Sequence, residues 1–253
     1  GSVDTLINAQ KLKTMAIVDP KRSPDGLDVY EMPVKGHTYI MTVDVARGIA
    51  NDYSAFIVID ATKAPYKIVA KYRNNDIKPI VFPNILKKVG DYYNKAYCLI
   101  EINDLGQQVA DAMQFELEYD NMMMVTQRGR AGQVLGGGFS GRGNQLGLRM
   151  TKGTKKIGTS NLKSLIEGDK LIIQDFEILS ELSTFISKGK SFEAENGAHD
   201  DLVMCLVIFS WCANQRYFKE LTNVDVRGQM FTDQKNAIEA DMAPFGFIDD
   251  GIN

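Results

Sequence analysis

The chain has 253 residues, 44% hydrophobic and 24% charged, a balance that excludes disorder and fibrous repeats and is long enough to bury one large core. No apolar run approaches the roughly 18 to 20 residues needed to cross a bilayer, and the N-terminus lacks the apolar centre of a signal peptide, so the protein reads as soluble and not secreted. A formal net charge of −3 argues, as an average, against a nucleic-acid partner, yet Gln127 to Lys156 holds seven basic residues and no acid, which concentrates positive charge in one segment.

Gly1-Ser2 has the form of a remnant left by tag removal, so the chain is expected to be an excised piece of a longer protein. Residues 1–36 read as a linker and lead-in, with Pro20, Ser23, Pro24 and Gly26 marking a turn before a short strand pair. His37 to Val45, Tyr53 to Asp60 and Tyr66 to Tyr72 are β-branched and aromatic runs separated by turn-rich gaps, which predicts an antiparallel meander. Ile80 to Tyr93 has helical spacing, Ala96 to Ile102 is a buried strand, and Leu105 to Leu117 is an amphipathic helix with Asp104 as its expected N-cap. After a short run at Met122 to Val125 comes the basic segment, whose nine glycines predict an inserted loop or hairpin too flexible for a core element.

Ser160 to Glu167 is helix-like, Lys170 to Gln174 strand-like and Ile178 to Ser187 helix-like, and Asp201 to Cys212 is apolar all round, hence a buried helix. Residues 222–253 form an acidic, weakly periodic tail, expected to be flexible, which leaves 37–221 as the main domain. The order predicts an α/β fold: a mixed sheet flanked by helices. Cys98, Cys205 and Cys212 sit in apolar surroundings without metal-ligand spacing and read as reduced core residues of a cytoplasmic protein.

Three acids abut these apolar runs. Asp44 and Glu101 each close a core strand, where active sites of open α/β sheets collect, and Asp200 and Asp201 open the most apolar helix. Taken singly, each has an ordinary role: a strand-end Asp serves turns, and Asp200 or Asp201 serves as a helix N-cap. Together they are unstable without protons or cations, because two carboxylates about 4 Å apart repel by about 4 kcal/mol at an effective dielectric near 20. Asp and Glu on a strand edge, with no His or Cys nearby, suit Mg²⁺, and two such ions would serve phosphodiester hydrolysis.

Three pieces, in this order, resemble the nuclease domain of the large terminase subunit of tailed bacteriophages, closest to the T-even-like phages. They are TVDVARGIANDYSAFIVID (Thr42 to Asp60), LIEIND (Leu99 to Asp104) and GAHDDLVMCLVIF (Gly197 to Phe209). The resemblance implies an RNase H-like (RuvC/integrase-type) fold and an endonuclease that cuts concatemeric viral DNA during genome packaging with little sequence specificity. It implies that Asp44, Glu101 and Asp200 bind Mg²⁺, with Mn²⁺ able to substitute and two ions expected. Asp201 stands as the alternative to Asp200, and Asp52 matches a further acidic position. It also implies double-stranded DNA as substrate, an upstream ATPase motor in the same polypeptide, portal and small terminase subunit as partners, and the host cell cytoplasm as the location.

Gly136 to Gly143 is no P-loop, because Arg142 stands where the lysine belongs and no Ser or Thr follows. Arg128, Arg130, Arg142, Arg149, Lys152, Lys155 and Lys156 are the candidate phosphate contacts, with a solvated loop as the alternative. Competing readings are a RuvC-like resolvase or transposase, a sugar-kinase or actin-like ATPase, and a noncatalytic module that docks the packaging motor on its portal.

Overall fold

The computed structural model describes residues 4–46, 52–127, 133–136 and 144–222. In chain order the elements are α1 (Ala9–Lys13), β1 (Leu27–Val29), β2 (Tyr39–Asp44), β3 (Ser54–Asp60), β4 (Tyr66–Asn74), α2 (Phe82–Tyr92), β5 (Tyr97–Ile100) and α3 (Gly106–Asp111), which runs into a π-helical turn at Ala112–Glu116. Then follow β6 (Met124–Gln127), β7 (Gln133–Gly136), β8 (Asn144–Leu146), α4 (Lys152–Glu167), β9 (Leu171–Ile172), α5 (Phe176–Thr184), β10 (Phe185–Lys188), β11 (Ser191–Ala194), α6 (Asp201–Ala213) and α7 (Arg216–Thr222).

The main sheet has the order β1-β4-β3-β2-β5, with β9 added to β4. The meander is antiparallel throughout, and β5 joins β2 in parallel after the α2 crossover. Both faces are covered, so the central strands β2 and β3 are buried at nearly every position rather than at alternate ones, and most of those residues are apolar. Ile40 and Leu99 belong to the core shared with α4, α5 and α6, whereas Met41, Val43, Cys98 and Ile100 belong to the core shared with α2 and α3. The fold is the expected mixed sheet flanked by helices, and α6 is buried along almost its whole length.

The basic segment takes part in a hairpin, one of its two expected forms, and adds strand pairing beyond it. Its strand β7 pairs with β6, and β8 pairs with β6 from the other side. The chain then lies along the outer edge of β5, where the Leu148 N–H donates to the Ile100 carbonyl at 2.8 Å and the Ile102 N–H to the Leu148 carbonyl at 3.0 Å. Pairing that edge removes a row of unsatisfied backbone groups. Gly147 makes the approach possible, since it has φ +81° and a Cβ there would stand 2.5 Å from the Ile100 carbonyl oxygen.

Three expectations are corrected. The helix expected from Ser160 begins at Lys152, under a capping box made by Thr151 and Thr154, because its Thr- and Gly-rich first turns hide the apolar period. The helix expected to reach Ser187 stops at Thr184, and Phe185 starts a hairpin strand. Asp104 does not cap α3: its φ is +48°, and Leu105 occupies the cap position without a side-chain bond. The described part of the lead-in is packed, with Leu6 and Ile7 buried in the core and β1 on the sheet edge. All but the first residue of 222–253 lies outside the described residues.

Candidate active site

Strand geometry brings the first two acids together. Side chains alternate along a strand, so Asp44 shares a face with Ile40 and Thr42, and Glu101 shares one with Leu99. That face is covered by α6, to which Thr42 donates a 2.9 Å hydrogen bond at the Cys205 carbonyl. The parallel register pairs Thr42 with Leu99 and Val43 with Ile100, and the Glu101 N–H donates to the Val43 carbonyl at 2.9 Å. Asp44 and Glu101 therefore stand side by side one step beyond the last paired residues. Asn103 Nδ2 donates to Glu101 Oε1 at 2.9 Å and to the Met150 carbonyl at 3.1 Å, which orients the carboxylate. Gly106 lies against the Glu101 backbone so closely that a Cβ would come within 1.8 Å of the Glu101 carbonyl oxygen.

The other acids come from α6. Asp200 occupies its N-cap position and Asp201 its first turn. Asp200 makes no capping bond; its Oδ2 accepts instead from the Ala194 N–H at 3.2 Å. Asp201 is 7% exposed, and its Oδ2 has no hydrogen-bond partner, although His199 Nδ1 stands 3.8 Å away. Behind them Glu181 of α5 accepts from the Leu202 and Val203 N–H groups at 2.8 and 3.0 Å, and Arg73 of β4 reaches Glu181 Oε1 at 3.5 Å. The Arg73 guanidinium also lies 4.0 Å from the centre of the Tyr53 ring, which meets His199 edge-on at 4.9 Å.

Burial and mutual repulsion act in the same direction on this group. Burial pushes the Asp44 carboxyl well above the usual carboxylate range, and the charges of Glu101, Asp201, Asp200 and Asp52 push it the same way. Burial raises the Asp201 carboxyl to about 6, against the pull of the Arg73 guanidinium and with the help of Asp52 and Asp200. Glu181 is pushed up to about 8, chiefly by burial, even though the Val203 and Leu202 amides and Arg73 draw it down. A cation bound among these acids would relieve their mutual repulsion and displace their protons.

Tested as a metal centre, the donors fit a hard divalent ion: four carboxylates supply oxygen, and Asp201 Oδ2 is a buried acceptor with nothing to accept from. Among the described residues, no three Asp, Glu, His or Cys side chains are drawn tightly enough round one point to form a finished cage. Mg²⁺ is commonly held by one or two carboxylates together with water and substrate phosphate, so a finished protein cage is not required.

Asp44, Asp52, Glu101, Asp200 and Asp201 all line one cleft of about 1640 Å³. One face of α4 lines the same cleft. Thr154, Gly158, Thr159, Leu162 and Ile166 are buried, whereas Lys152, Lys155, Lys156, Ser160 and Lys163, at helical spacing, line the cleft with more exposed side chains. Gly158 lets α4 approach α6, since a Cβ there would stand 2.6 Å from the Val207 carbonyl oxygen. Lys188 and Lys190 of the β10–β11 hairpin add to the same cleft.

Of the residues singled out from sequence, the structure thus brings Asp44, Glu101, Asp200, Asp201 and Asp52 to one cleft, which Lys152, Lys155 and Lys156 also line. Arg149 is exposed and does not line that cleft. Arg128, Arg130 and Arg142 lie outside the described residues. Lys163 went unnoticed although it continues the Lys152, Lys155, Lys156 period by seven residues from Lys156. Lys188, Lys190, Glu181 and Arg73 carry no local signal, since only the tertiary fold brings them here.

Residues 41–209 match a family model described as the terminase RNase H-like domain. Among solved structures, the chain is similar to the large terminase nuclease of thermophilic phage G20c with bound magnesium, at 20% identity and a TM-score of 0.62, covering 84% of this chain and 98% of that one. The same G20c nuclease with bound cobalt gives 20% identity, a TM-score of 0.61 and the same coverage. The large terminase nuclease domain of Thermus phage P74-26 gives 19% identity and a TM-score of 0.56, covering 78% of this chain and 90% of that one. At these identities the structural likeness is one of fold, and it agrees with the RNase H-like architecture expected from sequence.

Proposed function

The chain belongs to the terminase RNase H-like domain family, and from that premise we propose that it is a metal-dependent DNA endonuclease that cuts concatemeric viral DNA during genome packaging. The observation that carries this reading is the single cleft lined by carboxylates from β2, β5 and α6 and by the lysine face of α4. One lining suits divalent ions and the other suits phosphates, and a phosphodiester backbone needs both. The three ordered motifs support assignment to the T-even-like branch. Solved nucleases of this fold with bound magnesium, cobalt and zinc support a divalent ion as the cofactor.

Asp44, Glu101, Asp200 and Asp201 are the residues that would hold two Mg²⁺ or Mn²⁺ ions, with Asp52 in an accessory place. When bound, such ions supply Lewis acidity that polarises the phosphodiester and acidifies a water. The chain's own part is to position and to charge. Asn103 fixes the Glu101 carboxylate, and the parallel register of β2 and β5 fixes its spacing from Asp44. Lys152, Lys155, Lys156 and Lys163 hold backbone phosphates across the cleft, and contacts of that kind carry little sequence information, so cutting is non-specific. Arg128, Arg130, Arg142 and Arg149 would extend the contact along the duplex. An ATPase motor upstream in the same polypeptide, the portal and the small terminase subunit are the proposed partners, in the host cell cytoplasm.

Plasmid cleavage in Mg²⁺, Mn²⁺ or EDTA tests the reading. Wild-type protein should nick and linearise only with a divalent ion, and Asp44→Asn, Glu101→Gln and Asp200→Asn should each lower the rate by at least about a hundredfold, equivalent to about 2.7 kcal/mol. Cutting in EDTA, or full activity in all three variants, would refute it.

A further inference from the structure

The start of α6 poses a question of hydrogen-bond supply. A helix N-terminus leaves amide donors without partners, and an N-cap Asp ordinarily accepts from the second or third of them. Asp200 stands at that position with φ −135° and ψ 15°, outside the extended conformation such caps adopt, and makes no capping bond. The two amides it would have served, those of Leu202 and Val203, both donate to Glu181 Oε2 on another helix, at 2.8 and 3.0 Å. Glu181 is 5% exposed, an unusual place for a carboxylate unless the bonds it accepts hold something in position.

We infer that Glu181 is a positioning residue for the acids of α6: it takes over the capping of that helix from α5 and so leaves the carboxylates of Asp200 and Asp201 available to the cleft. Arg73 steadies this cap, with its guanidinium 3.5 Å from Glu181 Oε1 and stacked on Tyr53, another residue of the cleft. Without Glu181, Asp200 would be drawn back to its ordinary capping duty and the first turn of α6 would turn away from Asp44 and Glu101. The inference rests on the reading of Asp200 and Asp201 as ion-binding groups.

Mn²⁺ titration calorimetry on the whole chain, alongside plasmid cleavage and thermal melting, tests it. Glu181→Gln keeps an acceptor oxygen for the two amides, Glu181→Asp keeps the charge but pulls the oxygen back by one methylene, and Glu181→Ala removes both. Val89→Ala, in the core shared with α2 and α3, is a control for lost stability. Glu181→Ala and Glu181→Asp should weaken Mn²⁺ binding by about tenfold or more and lower kcat, with KM for DNA within about twofold, as is usual when a group supporting a metal ligand is removed. Glu181→Gln should stay within about threefold of wild type on both readouts, and Val89→Ala should lose melting temperature but not Mn²⁺ affinity. If Glu181→Asp is active and Glu181→Gln is not, Glu181 acts through its charge and the inference is overturned even where Glu181→Ala fails to fold. Wild-type Mn²⁺ affinity in Glu181→Ala, with loss of binding in Asp201→Asn, would overturn the positioning role alone. Absence of Mn²⁺ binding by wild type would overturn the metal reading together with it.

Discussion

Replacing Asp201 by Asn should make the protein more stable without metal while lowering its cleavage. Asp201 is 7% exposed, and its carboxyl, ordinarily half-ionised at 3.8, is raised to about 6 by burial with Asp52 and Asp200 nearby. A group whose folded-state value is raised contributes stability below its unfolded value, and that contribution disappears as pH rises through the folded one. Above pH 6 the ionised Asp201 therefore costs the fold about 3 kcal/mol, at about 1.4 kcal/mol per tenfold change in proton affinity. Asn gives up the attraction of a negative charge for the helix N-terminus, up to about 1 kcal/mol, which leaves a net gain of about 2 kcal/mol. Urea denaturation in EDTA at pH 4 and pH 8 measures this. Asp201→Asn should exceed wild type by about 2 kcal/mol at pH 8 and match it near pH 4, and saturating Mg²⁺ should narrow the gap by stabilising only the wild type appreciably. Equal or lower stability of the variant at pH 8 would refute the idea that unrelieved negative charge weakens this site.

Two further outcomes follow from the geometry. The double variant Lys155→Glu, Lys156→Glu should weaken duplex binding at least tenfold at low salt and reduce the slope of log affinity against log salt by about 2, measured by fluorescence anisotropy; an unchanged slope would remove α4 from the interface. Gly106→Ala places a Cβ 1.8 Å from the Glu101 carbonyl oxygen, so the end of β5 must move. Cleavage should fall by about tenfold or more while duplex binding persists, and a variant as active as wild type would mean that the position of Glu101 is not critical.

Much of the fold was legible because local and tertiary preferences coincide. β2, β3, β4 and β5 are short β-branched or aromatic runs bounded by turns, and α6 is too apolar to lie anywhere but inside. The first turns of α4 were not legible: Lys152 to Thr159 has the composition of a loop, and its helical face is set by Gly158 fitting against α6 and by the Thr151 capping box. Phe185 looked like a continuation of α5, yet it starts a hairpin whose partner, Ala194, lies nine residues on. At the site, the strand-end positions of Asp44 and Glu101 were legible, but that they share a face is set by the parallel register of β2 and β5. The capping of α6 by Glu181 could not be read, because the 21 residues separating Glu181 from Leu202 follow no local period.

Anomalous diffraction from a crystal of the wild-type chain soaked in Mn²⁺ tests the central claim most directly. The account predicts a peak in the cleft between Asp44 and Glu101, about 2.1 Å from carboxylate oxygens of both, within reach of Asp200 or Asp201, and absent from Asp44→Asn crystals. A wild-type crystal with no peak there, or with manganese bound only at other carboxylates, would contradict it.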